Sequence, residues 1–139
     1  MTKVRANSYN TGIASEYLIL SKLYRLDLEA YISHGNKKSI DIRVIRKNGS
    51  SVSIDVKSVR GYSSIVVNNV SFKHDHIIVI VVYNNKFENL NHEPEIFIIP
   101  SLDIPNITES YGDEKRLLKG KLILYKNKWK YIECDKNVA

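Results

Sequence analysis

Cysteine is nearly absent from these 139 residues. Cys134 stands alone, so no disulfide forms within the chain and a four-thiolate zinc site is excluded. A reducing, cytoplasmic setting is the expectation. Long apolar runs are missing too. The longest, residues 77–83, suits a buried strand and falls far short of a bilayer span, so no membrane partner is expected. The first eight residues are polar and lack the apolar stretch of a signal peptide. No glycine-rich phosphate loop, G-x-S-x-G elbow or dinucleotide fingerprint occurs. There is no repeat, low-complexity tract or linker, and residues 1–139 are expected to form one domain.

What is present is an ordinary globular balance of 43% hydrophobic and 26% charged residues, with a net charge of +6. A basic small domain prefers polyanions, nucleic acid being the commonest, although charge alone sets neither fold nor chemistry. Residues 8–24 have helical periodicity, capped by Ser8 or Asn10, with Ile13, Tyr17, Leu20 and Tyr24 as the predicted apolar stripe and Glu16 on its flank. Residues 29–34 predict a first strand. Two alternating runs follow. Ile40, Ile42 and Val44 share one face of the second strand, with Asp41, Arg43 and Ile45 on the other. Val52, Ile54 and Val56 share one face of the third, opposite Ser53, Asp55 and Lys57. Asn48-Gly49 between them is a hairpin signal.

Residues 65–67 suggest a short strand and 70–76 a helical turn. Residues 77–83 predict a central strand covered on both faces, and residues 95–100 another buried strand. A short helix is expected over 113–119, and a closing hairpin from 121–125 and 129–133. The pattern predicts an α/β or α+β fold with one central mixed sheet.

The chemistry concentrates on the second and third strands. Asp55 and Lys57 leave one face of their strand, and hairpin pairing brings the polar face carrying Asp41 alongside. Two aspartates and a backbone carbonyl suffice to cradle Mg²⁺, which keeps several waters. Such an ion polarises a phosphodiester and acidifies a bound water, and a lysine can orient that water or offset charge on the phosphoryl oxygens. The competing explanation is a solvated polar hairpin face. An acid-x-lysine triplet is cheap in so charged a chain, and Asp113-Glu114-Lys115 is a second one. Context favours Asp55-Val56-Lys57: an alternating strand, an acid on the neighbouring strand, and a helix bearing Glu16.

The succession Gly12-Ile13-Ala14-Ser15-Glu16, a helix, a strand, Ser39-Ile40-Asp41, a turn and Ile54-Asp55-Val56-Lys57-Ser58 resembles the PD-(D/E)xK nuclease superfamily, in particular its resolvase-like and restriction-endonuclease-like members. By motif the likeness spans roughly residues 5 to 60. It implies a restriction-endonuclease-like central mixed sheet flanked by helices, and DNA cleavage with Mg²⁺, for which Mn²⁺ substitutes. Carried over, Asp41 and Asp55 match the two motif acids, Lys57 the lysine, and Glu16 the helix acid that completes the metal site in some members. The implied metal ligands are Asp41, Asp55, Glu16 and the Val56 carbonyl. Ile40 stands where the motif has proline, and Asp55 is the shorter of the two permitted acids. Lys37, Lys38, Arg43, Ser58 and Arg60 are the candidate DNA contacts, and a homodimer supplies two sites for two strands.

The alternatives are a nucleic-acid-binding module or partner subunit without turnover, and a purely structural domain. Histidines 74, 76 and 92 lack further ligands at zinc-site spacing. The lysines and aromatics of residues 119–131 serve general attraction to DNA and packing.

Overall fold

The computed structural model describes residues 2–33, 41–62, 64–67 and 70–134, residues 2–8 by their backbone alone. The chain opens with α1 (Thr2–Arg25), a proline-free helix whose last turn carries Lys22 and Arg25, the charge sign that suits a helix C-terminus. Its buried positions are Thr11, Ser15, Ile19 and Leu23, in steps of four. The expected stripe is therefore wrong: Tyr17 and Tyr24 are 50% and 52% exposed. Two small hydroxyl residues let the helix approach the sheet closely, and both hydroxyls find partners. Ser15 Oγ donates to the Thr11 carbonyl (2.7 Å) and pairs with Tyr83 Oη at 2.9 Å, while Thr11 Oγ1 accepts Arg60 Nε–H (2.7 Å). The tyrosines stay at the rim, where Tyr24 Oη reaches the Ala30 carbonyl.

Among the described residues eight strands follow: β1 (Glu29–Ile32), β2 (Ile42–Ile45), β3 (Ser51–Val59), β4 (Ser64–Val66), β5 (His76–Val82), β6 (Glu95–Pro100), β7 (Thr108–Tyr111) and β8 (Glu114–Leu118). Five of them form a central sheet in the order β1-β2-β3-β5-β6, antiparallel except for the parallel β3–β5 pair. The predicted mixed α+β architecture is what the chain adopts. The β2–β3 turn uses Gly49 at φ +92°, a conformation few other residues tolerate, and Asn48 Oδ1 accepts the Ser50 N–H.

Every residue of β5 is buried. Its Ile77, Val79 and Val81 pack with Ile19 and Leu23 of α1 and with Ile42 and Ile54. Its Ile78, Ile80 and Val82 pack on the opposite side with Ile65, Phe97, Leu117 and Leu122. That second layer is closed by a small antiparallel sheet, β4-β8-β7.

Three local expectations fail. Residues 70–76 are not helical, and Asp75 turns the chain into β5 at φ +56°. Residues 113–119 form β8 instead of a helix, because Leu117 is drawn into the second core and pairing with β4 and β7 overrides local helix propensity. The terminal hairpin is replaced by 3₁₀ turns at Lys119–Lys121 and Ile123–Tyr125, then two four-residue helices complete the inventory: α2 (Ile104–Ile107) earlier and α3 (Lys130–Glu133) here. The 126–127 segment instead lies on β6, where Asn127 N–H donates to the Ile96 carbonyl. Among the described residues no helix is long and apolar enough to cross a membrane.

Candidate active site

Asp41 extends the sheet beyond β2. Its N–H donates to the Ile54 carbonyl (2.7 Å) and its carbonyl accepts from Ser33 N–H (2.8 Å). The paired register ends with Ile42 opposite Ile54, so Asp41 and Asp55 are the next residues on the two adjacent strands. Because Ile54 and Val52 point into the α1-facing core, alternation sends Ser53, Asp55 and Lys57 to the other face of β3.

The two aspartates are held differently. Asp41 Oδ2 accepts the Val56 N–H at 2.7 Å. Asp55 is 5% exposed, and its Oδ2 is buried without a hydrogen-bond partner, 3.5 Å from Lys57 Nζ. A buried carboxylate oxygen without a hydrogen-bond partner, beside a second carboxylate, invites a further positive charge.

Glu16 of α1 shares this field. Burial first, then the charges of Asp41 and Asp55, push its carboxyl from the ordinary 4.5 up to about 7. Asp41 is raised from 3.8 to about 6, chiefly by burial. The Val56 N–H and the Lys57 charge pull down, and Asp55 pushes up. The structure thus brings Glu16, Asp41, Asp55 and Lys57 into one electrostatic neighbourhood. Among the described residues no three carboxylate, imidazole or thiolate groups close around a single point. The donor set nevertheless fits a hard divalent cation: adjacent aspartates with one unpartnered oxygen, and a third carboxylate in the same field.

The other candidates are more dispersed. Arg43 is exposed and lies opposite Ser53, on the carboxylate face. Ser58 and Arg60 turn toward α1: Ser58 Oγ donates to the Thr11 carbonyl at 3.4 Å, and the Arg60 guanidinium sits 3.9 Å from the Phe87 ring centroid. Val56 packs its side chain against the α1-side core. Lys37 and Lys38, like His34 and Ile40, lie outside the described residues.

His76, set aside from sequence as a zinc ligand, and Arg46, which sequence reasoning passed over, take part in the site's surroundings. His76, 1% exposed, pairs Nδ1 with Ser53 Oγ at 2.6 Å and leaves Nε2 buried without a hydrogen-bond partner. Burial holds its pKa below 6.5 against the pull of the Asp55 charge. Arg46, 4% exposed, donates from Nε to the Ile132 carbonyl (2.7 Å) and from Nη1 to Asp75 Oδ1 (2.9 Å), tying β2 to α3 and to the entry of β5. A histidine at the head of an all-apolar strand was the available signal for the first. Arg46 carried none, since it follows an alternating strand where exposure is the ordinary outcome.

No protein-family model matches the chain, and no curated protein matches it in sequence. Solved structures do match in fold. The Holliday junction resolvase Hjc of the archaeal hyperthermophile Archaeoglobus fulgidus superposes with a TM-score of 0.58 at 10% identity, covering 87% of this chain and 94% of that one. A bacterial homing endonuclease superposes with a TM-score of 0.61 at 15% identity, covering 91% of this chain and 93% of that one. This chain shares the fold of both structures.

Proposed function

We propose that the chain is a metal-dependent endonuclease that hydrolyses DNA phosphodiester bonds, acting as a single domain over residues 1–139 and as a homodimer. The observation that carries this reading is the buried, unpartnered Asp55 oxygen beside Asp41, Lys57 and Glu16, on a fold shared with two DNA endonucleases. Asp41, Asp55 and the Val56 carbonyl are the proposed ligands of Mg²⁺, which Mn²⁺ can replace, and Glu16 serves a second ion or an outer-shell water. When bound, the ion supplies Lewis acidity to the scissile phosphate and lowers the pKa of a water.

The chain's own groups do the rest. The Val56 N–H fixes the Asp41 carboxylate in one orientation. Lys57 lies within reach of Asp55 and of the solvent side, 23% exposed, so its ammonium orients the attacking water and offsets charge building on the phosphoryl oxygens. Sheet pairing on both sides of β3 limits the movement of these side chains, which is the preorganisation such chemistry requires.

Plasmid nicking with Mg²⁺ or Mn²⁺ tests the assignment. The native chain cuts, and Asp55→Asn abolishes cutting while DNA affinity is retained. Equal activity in the variant removes Asp55 from the mechanism. Salt-sensitive binding without cleavage by the native chain on any DNA identifies a binding module without turnover.

A further inference from the structure

Beyond the carboxylates, the same sheet face carries a second row of side chains. Arg43 on β2 is the register partner of Ser53 on β3, and Ser53 is the partner of His76 on β5. This row lies two residues along the strands from the Asp41–Asp55 pair, about 6.5 Å at strand rise. Ser53 and His76 are its buried floor, locked by their 2.6 Å hydrogen bond. Two exposed cations border that floor: Arg43, the register partner of Ser53, and Lys73, three residues before His76, whose charges both act on the His76 ring.

Lys73 sits on an anchored segment. Ser101, fully buried, accepts from the Lys73 N–H (3.0 Å) and donates to the Lys73 carbonyl (2.8 Å), fixing the backbone while the amine stays at the surface. The nearest acid in sequence, Asp75, is engaged by Arg46 at 2.9 Å. Asp103, which lines the same roughly 100 Å³ cavity as Lys73, accepts from Tyr125 Oη. Among the described residues neither Arg43 nor Lys73 forms an ion pair, whereas Lys22, Arg46, Lys57, Arg116, Lys119, Lys121 and Lys126 all do.

We infer that Arg43 and Lys73 form a phosphate-binding position one row from the carboxylates, which takes the backbone phosphate next to the scissile one and so runs the bound strand across β2, β3 and β5. The inference rests on the endonuclease reading and gives the strand its path. A row spacing of two residues is comparable to the gap between neighbouring phosphates of a strand. Both cations reach past the buried floor, so contact goes to the backbone and carries no base preference.

The test is the salt dependence of binding, measured with a labelled duplex and a branched junction in Ca²⁺ over a potassium chloride series. The chains compared are native, Arg43→Gln, Lys73→Gln, and Arg25→Gln as a control at the far end of α1. Each of the first two substitutions lowers the slope of log K against log salt by about 0.9, on every DNA sequence alike. The control leaves it unchanged. Matching melting temperatures establish that the exposed substitutions leave the fold intact. Native slopes in both Arg43→Gln and Lys73→Gln overturn the proposed position and leave the endonuclease reading standing. Absence of binding by the native chain to either DNA overturns both.

Discussion

Replacing Glu16 with glutamine has opposite consequences for stability and for function, and the two can be measured separately. In the folded chain the Glu16 carboxyl is raised from 4.5 to about 7 by burial and by the charges of Asp41 and Asp55. Between those two pH values the folded state therefore binds more protons than the unfolded state. Stability contributed by this group is present below pH 4.5 and is lost as the pH rises through about 7. A displacement of that size corresponds to roughly 3 kcal/mol. Solvent screening of a part-exposed side chain reduces the measurable effect to about 1 kcal/mol. In metal-free buffer at pH 8, Glu16→Gln is expected to be more stable than the native chain by that amount, about 3 °C in Tm, and equal to it at pH 4. Adding Mg²⁺ stabilises both chains through Asp41 and Asp55, by about 2.7 kcal/mol at a hundredfold excess over Kd, and narrows the difference between them because the native Glu16 carboxylate then faces a positive charge. Thermal melts at the two pH values, with and without Mg²⁺, decide the matter. A variant that melts below the native chain at pH 8, with an unchanged pH profile, refutes the shared field of the three carboxylates.

Lys57→Ala is expected to lower the cleavage rate at saturating DNA by about a hundredfold while Kd changes little, because its ammonium acts on charge that develops in the transition state; single-turnover kinetics with a parallel binding titration check this. Arg46→Ala is expected to cost about 1–3 kcal/mol in guanidinium unfolding, since it strips the buried Ile132 carbonyl of its donor, while the exposed Asp75 remains solvated. An unfolding midpoint within error of the native chain contradicts that assignment.

The strands that carry the candidate site were legible because alternation is a strong local signal. Val52, Ile54 and Val56 could only face a core, so Asp55 and Lys57 had to share the other face, and Asn48-Gly49 announced the turn. The helix was legible in existence and misread in rotation. Tyrosine counts as apolar in a periodicity but keeps its hydroxyl wet, and the true contact face begins with Thr11 and Ser15, which no hydrophobic count selects. Strand β8 was hidden for a different reason. Glu114-Lys115-Arg116 has helical composition, and only Leu117, seated in a core with residues as distant in sequence as Ile65, commits it to a sheet. The floor of the proposed phosphate position was hidden likewise, since Ser53 and His76 meet only through the parallel β3–β5 pairing.

That same long-range closure bears on how the molecule comes into being. The acids and lysine all lie within the first 57 residues, yet β4 waits for β8, and the outer side of β5 is only partly covered until Leu117 and Leu122 arrive. A nascent chain halted after Pro100 would leave the ribosome with its reactive groups already synthesised and an oily flank still open to aggregation. The last forty residues thus act as the catch that latches the assembly.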